Sequence, residues 1–262
     1  MVILMNHKMK KSLGQNFIKD INIIKKIVKL SGVNKNNTVI EIGAGSGSLT
    51  KELASSSKKV IAYEIDESLK DILRENLKDY INIEVIYEDF LKTNLKIKDK
   101  DIYVISNLPY YITTPIIVKL IKSNIDIKKI VIMVQKEVGK RFNAIPNTKD
   151  YSSITVFLNY YYNIRKLMDV NRNSFIPKPN VDSVVLELTR NDNKLKTNNE
   201  EIFFKLIKDS FQFKRKTLKN NLKNYNLKII EEVLNKYNFN LNVRAEQLSL
   251  EVFIDISNKI KG

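Results

Sequence analysis

Short apolar runs alternate with amphipathic helical stretches from Thr38 to Val134, and that alternation restricts the chain to a doubly wound, mostly parallel sheet. The runs are Thr38–Ile42, Lys59–Tyr63, Ile83–Tyr87, Ile102–Ile105 and Lys129–Val134. Ile154–Leu158 and Ser183–Leu188 read as two further strands with no helix between them, so an antiparallel final strand is expected. The reading is an α/β fold with a seven-stranded sheet. Around 191–199 the chain turns polar and loses periodicity, which marks a domain boundary. Beyond it, 200–211, 214–224, 227–237 and 249–260 read as helices, the last capped by Ser249-Leu250-Glu251-Val252. The predicted domains are therefore 1–190 and a small all-helical 191–262.

Ligands of such sheets gather outside the carboxyl ends of the strands, and three consecutive strand ends here carry suggestive residues. The first opens into Glu41-Ile42-Gly43-Ala44-Gly45-Ser46-Gly47. Its glycines fit neither the dinucleotide fingerprint nor the P-loop, because the third glycine site falls on Ser48 or Thr50 and no Gly-Lys-Ser/Thr follows. Backbone approach at the helix N-terminus still suits a small anionic group such as a carboxylate, while Glu41 disfavours phosphate. Glu64, 21 residues past Gly43, ends the second strand and suits both hydroxyls of a ribose. Asp89 ends the third and can accept from an adenine amine. Singly each acid reads as a solvated strand end. In this order they describe a nucleoside with an amino-acid tail, S-adenosylmethionine.

The fourth strand runs into Asn107-Leu108-Pro109-Tyr110, followed by a helix expected to be capped by Thr114 and opened by Pro115. Pro109 keeps Leu108 extended, leaving its carbonyl free beside the Asn107 amide. Two such oxygens can accept both hydrogens of a planar exocyclic amine while Tyr110 stacks on the attached ring. Such an amine is a poor nucleophile and needs orientation more than a strong base. The competing reading is a proline turn that merely ends the strand. Composition narrows the chemistry: there is no cysteine, and the one histidine, His7, stands in a polar N-terminal tail. Thiol nucleophiles, histidine triads and cysteine-ligated zinc are excluded, and no metal is expected.

A formal charge of +16 points to a polyanionic partner. Only 7 of the 45 basic residues are arginine, so codon bias competes as an explanation. Clustering argues against bias alone: Lys208, Lys214, Arg215, Lys216, Lys219 and Lys223 face one acid, Asp209, and at helical spacing most share a face suited to phosphates. Residues 8–19 form a basic arm interrupted by Gly14, and an amphipathic helix runs from Asp20 through Leu30. No apolar run approaches a membrane span, and Met1–Met5 is too short for a signal segment; Met5 or Met9 could equally be the start. The expectation is a cytoplasmic monomer that binds no membrane.

Six motifs give the chain a specific resemblance. Ser12-Leu-Gly-Gln-Asn-Phe17, Glu41–Gly47, Asn107-Leu-Pro-Tyr-Tyr-Ile-Thr113, Phe175-Ile-Pro-Lys-Pro179, Arg215-Lys-Thr-Leu218 and Arg244–Leu250 follow one another over nearly the whole length. The chain resembles the ribosomal RNA adenine-N6,N6-dimethyltransferases, especially the branch acting on small-subunit 16S rRNA. That resemblance implies a class I methyltransferase fold with a helical rRNA-binding domain, S-adenosyl-L-methionine as cofactor, and dimethylation of two adjacent adenosines near the 3′ end during ribosome biogenesis. It implies that the arm wraps over the cofactor, with Asn16 and Ile18 in contact and Gln15 and Phe17 nearby. Gly43, Gly45, Glu64, Ile65, Asp89, Phe90 and Asn107 would complete that site, and Phe175, in a stiff loop, would stack on the adenine opposite Tyr110. Two positions depart from the family pattern: Ala44 replaces a usual proline, and Val170 is followed by Asn171 and Arg172 rather than a Pro-Pro pair. The alternatives are a large-subunit rRNA methylase, a DNA-adenine or protein-amide methylase, and a non-catalytic rRNA-binding assembly factor.

Overall fold

The computed structural model describes residue 10, residues 13–192 and residues 195–260. His7, Ser12 and the alternative starts Met5 and Met9 lie outside the described residues. The chain forms two compact units, one comprising residues up to Gly139 with Arg165–Arg190, the other Lys140–Ile164 with Asn191 onward. The sequence reading places a boundary at 190–191 and leaves 140–164 with the sheet, whereas residues 153–161 of that segment form a helix.

The first unit begins with a two-residue strand, β1 (Phe17–Ile18), and helix α1 (Ile21–Ser31). Asp20 caps α1 by accepting from the Asn22 N–H, and Gly32 ends it in the left-handed region at φ 68°. There follow β2 (Thr38–Ile42), α2 (Ser48–Ser56), β3 (Lys59–Glu64), α3 (Lys70–Leu77), β4 (Ile83–Tyr87), β5 (Ile102–Asn107), α4 (Thr113–Lys122), β6 (Ile127–Gln135) and α5 (Lys136–Phe142). The sheet order is β4-β3-β2-β5-β6, then β9 (Ser183–Arg190) and β7 (Tyr162–Val170) at the edge. β2 pairs parallel with both β3 and β5, and β9 runs antiparallel to β6, as expected. After β4 the chain returns to the other side of β2, so the strand order reverses between β2 and β5. Their carboxyl ends form the crevice in which open α/β sheets hold ligands.

Three local expectations are corrected. Ile154–Leu158 is not a strand: it lies within α6 (Ser153–Tyr161), opened by a Ser152/Thr155 capping box. Val156 and Tyr160, four residues apart, bury into the helical core, and that packing overrides the β-propensity of the segment. The seventh strand is instead β7, whose exposed, charged pattern hides it from a search for apolar runs; Arg165 there reaches Glu187 of β9 at 2.5 Å. Helix α4 begins at Thr113 rather than after Thr114, so Pro115 stands third, still within the first turn where its missing N–H costs nothing.

The second unit contains α6, α7 (Glu200–Ser210), α8 (Leu218–Asn221), α9 (Leu227–Lys236) and α10 (Leu250–Lys259). Its core is aromatic-rich, with Tyr160 against Phe203 at 4.9 Å and Phe211 against Phe253 at 5.8 Å. Ser249 stands at the N-cap of α10, but its side chain makes no capping bond.

Candidate active site

The crevice between β2 and β5 opens into a cleft lined by the glycine turn, the arm and the Asn107–Tyr110 turn. The glycine turn forms one wall. Gly43, Gly45 and Gly47 hold φ of 81°, 57° and 81°, a region L side chains rarely adopt. The Gly43 and Ala44 N–H groups donate to the Tyr63 carbonyl at 2.8 and 3.1 Å, which ties the turn to the end of β3. Glu64, only 5% exposed, accepts from Gly45 N at 2.8 Å and from Asp66 N at 2.9 Å. Burial raises its pKa against those bonds.

Glu41 lies beneath the turn, 1% exposed. Burial pushes its carboxyl up to about 8, eased slightly by the neighbouring Thr50 hydroxyl and reinforced by Glu64. Thr50 makes no bond of regular geometry, and Glu41 Oε2 has no hydrogen-bond partner although the residue lines the cleft. Among the described residues the cleft is lined by two carboxyls and by no lysine or arginine. A lining with no cation suits a ligand bearing an ammonium and a sulfonium better than a phosphate, and Glu41, protonated below about 8, adds a polar group there rather than a charge.

The arm forms the opposite wall. β1 pairs antiparallel with β8 (Phe175–Ile176), matching Phe17 to Ile176 and Ile18 to Phe175. The Phe17 ring packs on Gly45 so closely that a Cβ there would stand 2.9 Å from it. One buried carboxylate anchors the arm: Asp66 accepts from Lys10 Nζ at 2.6 Å and Gln15 Nε2 at 2.7 Å. Burial alone would raise its pKa, but these bonds and those from Ser68 hold it down at about 2. Sequence reasoning missed Asp66; its place two residues after Glu64 was the available signal.

Asn107 is the last residue of β5 and lines the cleft with Leu108, Pro109 and Tyr110. Its Nδ2 donates to the Asn16 carbonyl of the arm at 3.0 Å. That bond uses the donor end of the amide and leaves Oδ1 as the free acceptor. The Leu108 side chain is buried at 1%, anchoring the turn. Tyr110 is half-buried, and its hydroxyl meets Ser183 Oγ at 2.7 Å. Burial raises the Tyr110 pKa. Ser183 lies 73 residues away, and nothing in the sequence marks it.

Gln15, Asn16, Ile18, Gly43, Gly45, Glu64, Ile65 and Asn107 thus line one cleft. Asp89 and Phe90 are not in that lining. Asp89 accepts from Leu91 N at 3.0 Å, and Phe90, 5% exposed, packs edge-on against Tyr63 at 5.1 Å. Phe175 corrects the expectation of a presented ring: it is 1% exposed and sits in the hydrophobic core. The β1–β8 pairing explains this, since alternation along the strand turns Phe175 inward and Ile176 outward.

The basic residues are also rearranged. Residues 211–217 form turns, and α8 spans four residues, so Lys208, Lys214, Arg215, Lys216, Lys219 and Lys223 share no helical face. Asn221 replaces the helix with a braced turn, donating to Ser210 O at 2.8 Å and accepting from Phe213 N at 3.1 Å. All six basic side chains are exposed. Among the described residues no group of acids, histidines or cysteines could hold a metal, and no helix is long and apolar enough to cross a membrane.

The doubly wound sheet, with a glycine turn, the buried Glu64 and the Asn107–Tyr110 turn gathered at the carboxyl ends of its strands, is that of a class I, S-adenosylmethionine-dependent methyltransferase. Comparison with known proteins narrows the class. Residues 6–261 match the family described as ribosomal RNA adenine dimethylase, and the chain belongs to that family. It is 44% identical to ribosomal RNA small subunit methyltransferase A of Bacillus pumilus, covering 96% of this chain and 91% of that protein. Among solved structures it is similar to a dimethyladenosine transferase from Plasmodium falciparum, with a TM-score of 0.80, 29% identity and coverage of 92% and 95%. It also resembles the 23S rRNA methyltransferase ErmE, with a TM-score of 0.75, 25% identity and coverage of 93% and 99%.

Proposed function

We propose that this protein dimethylates N6 of two adjacent adenosines near the 3′ end of small-subunit rRNA, acting as a cytoplasmic monomer on pre-assembled small ribosomal subunits. The observation that carries this reading is the Asn107 amide, whose nitrogen is tied to Asn16 O while its oxygen remains for an incoming amine. The 44% identity to a small-subunit methyltransferase favours this substrate over large-subunit rRNA.

The cleft's own residues suit the cofactor. Glu64 would take the ribose hydroxyls, the Gly43–Gly47 turn the amino-acid tail, and Gln15, Asn16, Ile18 and Ile65 would enclose it; Asp89 and Phe90 would approach the adenine from the end of β4. Bound S-adenosylmethionine supplies an activated methyl group on a sulfonium. Asn107 Oδ1 and the Leu108 carbonyl accept the two amine hydrogens of the target adenine and fix its nitrogen, and Tyr110 stacks on its ring. Because the amine needs aim rather than deprotonation, proximity and orientation carry the rate, and neither histidine nor cysteine is required. Transfer would leave a neutral thioether and a positively charged nitrogen that releases one proton to water, so a monomethylated product keeps one hydrogen for a second round. Extrusion of the base costs a few kcal/mol, less in a loop, and stacking worth about 1–3 kcal/mol offsets it.

The test is methyl transfer from labelled cofactor to unmethylated small-subunit particles, followed by mapping. Label on two adjacent adenosines near the 3′ end is expected. Label confined to large-subunit rRNA, or to duplex DNA at equal rates, would overturn the reading.

A further inference from the structure

Within the basic stretch of the helical unit, Phe213 is 56% exposed. Other large apolar side chains are exposed too, among them Ile81, Ile145 and Leu195, and single exposed hydrophobes are ordinary. Phe213 differs in its setting and in how it is held. It is followed directly by Lys214, Arg215 and Lys216, all exposed. Among the described residues none of these three has an acidic partner within salt-bridge distance. Lys214 Nζ instead donates to the backbone carbonyl of Lys149 at 2.5 Å.

The backbone of Phe213 is fixed from both sides. Its N–H donates to Asn221 Oδ1 at 3.1 Å, and its carbonyl accepts from Asn221 Nδ2 at 3.2 Å and Lys216 N at 2.9 Å. The core is close at hand, since Phe211, two residues earlier, packs against Phe253 and Tyr151. The turn therefore sorts two aromatic rings, one inward and one outward. A flat apolar ring presented by a braced turn among cations matches the chemistry of a single-stranded nucleic acid platform, in which cations track phosphates and a ring receives a base.

We infer that Phe213 is a stacking platform for an unpaired nucleobase of the small-subunit rRNA, separate from the base bound at Tyr110. This rests on the rRNA reading of the helical unit and adds a contact that charge does not supply. Cations contribute affinity by releasing counterions, so their loss lowers the slope of log affinity against log salt; a stacking ring contributes without changing that slope.

Purified full-length chain is titrated with small-subunit particles at several salt concentrations, comparing wild type, Phe213→Ala, Phe213→Trp and Lys216→Ala. Phe213→Ala is expected to weaken binding by roughly 5- to 100-fold with the salt slope unchanged. Phe213→Trp should retain affinity and show quenched emission on binding, and Lys216→Ala should lower the slope by about 1. Phe213→Ala binding as tightly as wild type, or losing slope as Lys216→Ala does, would overturn the inference. In a parallel experiment Phe213 is replaced by a photoreactive phenylalanine: a crosslink to an unpaired nucleotide supports the platform, and one to a ribosomal protein contradicts it. Failure of wild type itself to bind the particles would instead strike the rRNA reading, so the two failures are distinguishable.

Discussion

The cleft at the ends of β2 and β5 and the stretch Lys208–Lys223 use charge in opposite ways. The cleft holds two buried carboxyls, Glu64 and a Glu41 that burial keeps protonated up to about 8, and no lysine or arginine lines it among the described residues. The stretch exposes six cations against one acid, Asp209, which is itself engaged by the Tyr225 hydroxyl at 2.5 Å. Cations lining the cleft would oppose an ammonium and a sulfonium; acids along the stretch would repel phosphates. Under the proposed function the contrast separates two tasks in one strongly basic protein, and the net charge of +16 describes only one of them.

The largest expected effect breaks the cleft and spares the basic stretch. Asn107→Ala should lower methyl transfer by about 10³-fold or more, as expected when orientation supplies most of the rate, while particle binding changes less than twofold. Sedimentation of particles with the variant, beside a transfer assay, reads both.

Next is the pH dependence set by Glu41. Its folded pKa of about 8 exceeds its ordinary 4.5, so between those values the native state keeps a proton that the unfolded chain has lost. Stability should therefore fall as pH rises through that window, by on the order of 1 kcal/mol per pH unit, and level off above about 8. Glu41→Gln should flatten the profile, which urea unfolding at pH 5, 6.5 and 8 would reveal; an equal slope in the variant would show that Glu41 is not the titrating group.

Asp66→Asn should release the arm from its charged anchor and weaken cofactor binding about tenfold, in keeping with hydrogen bonds to a charged group. Calorimetry reads this directly, with particle binding as the unaffected control. Ser183→Ala is the mildest change. Loss of its bond to the Tyr110 hydroxyl should cut kcat about 2- to 10-fold without moving KM for the particles, and Tyr110→Phe should match it.

Much of this contrast is legible in the chain. β2 and β4 have the bounds their apolar runs predict, and Gly43, Glu64 and Asn107 mark strand ends because ligand chemistry concentrates there. What escapes the sequence depends on tertiary partners. Ile154–Leu158 is β-prone yet helical because Val156 and Tyr160 find an aromatic core. β7 is a polar edge strand with little apolar signal. The basic stretch is turned rather than helical because one side chain, Asn221, takes over the backbone bonds of the turn. Phe175 is buried because a two-residue pairing with the arm fixes which way it faces. Each involves a partner at least four residues away, and usually many more.

The separation of tasks is tested most directly by the salt dependence of wild-type steady-state kinetics on small-subunit particles at saturating cofactor. The account predicts that between 50 and 200 mM salt KM for the particles rises at least roughly tenfold, while kcat stays within about twofold. A kcat that falls in step with salt while KM holds steady would contradict it, because the cations would then be acting in the chemical step.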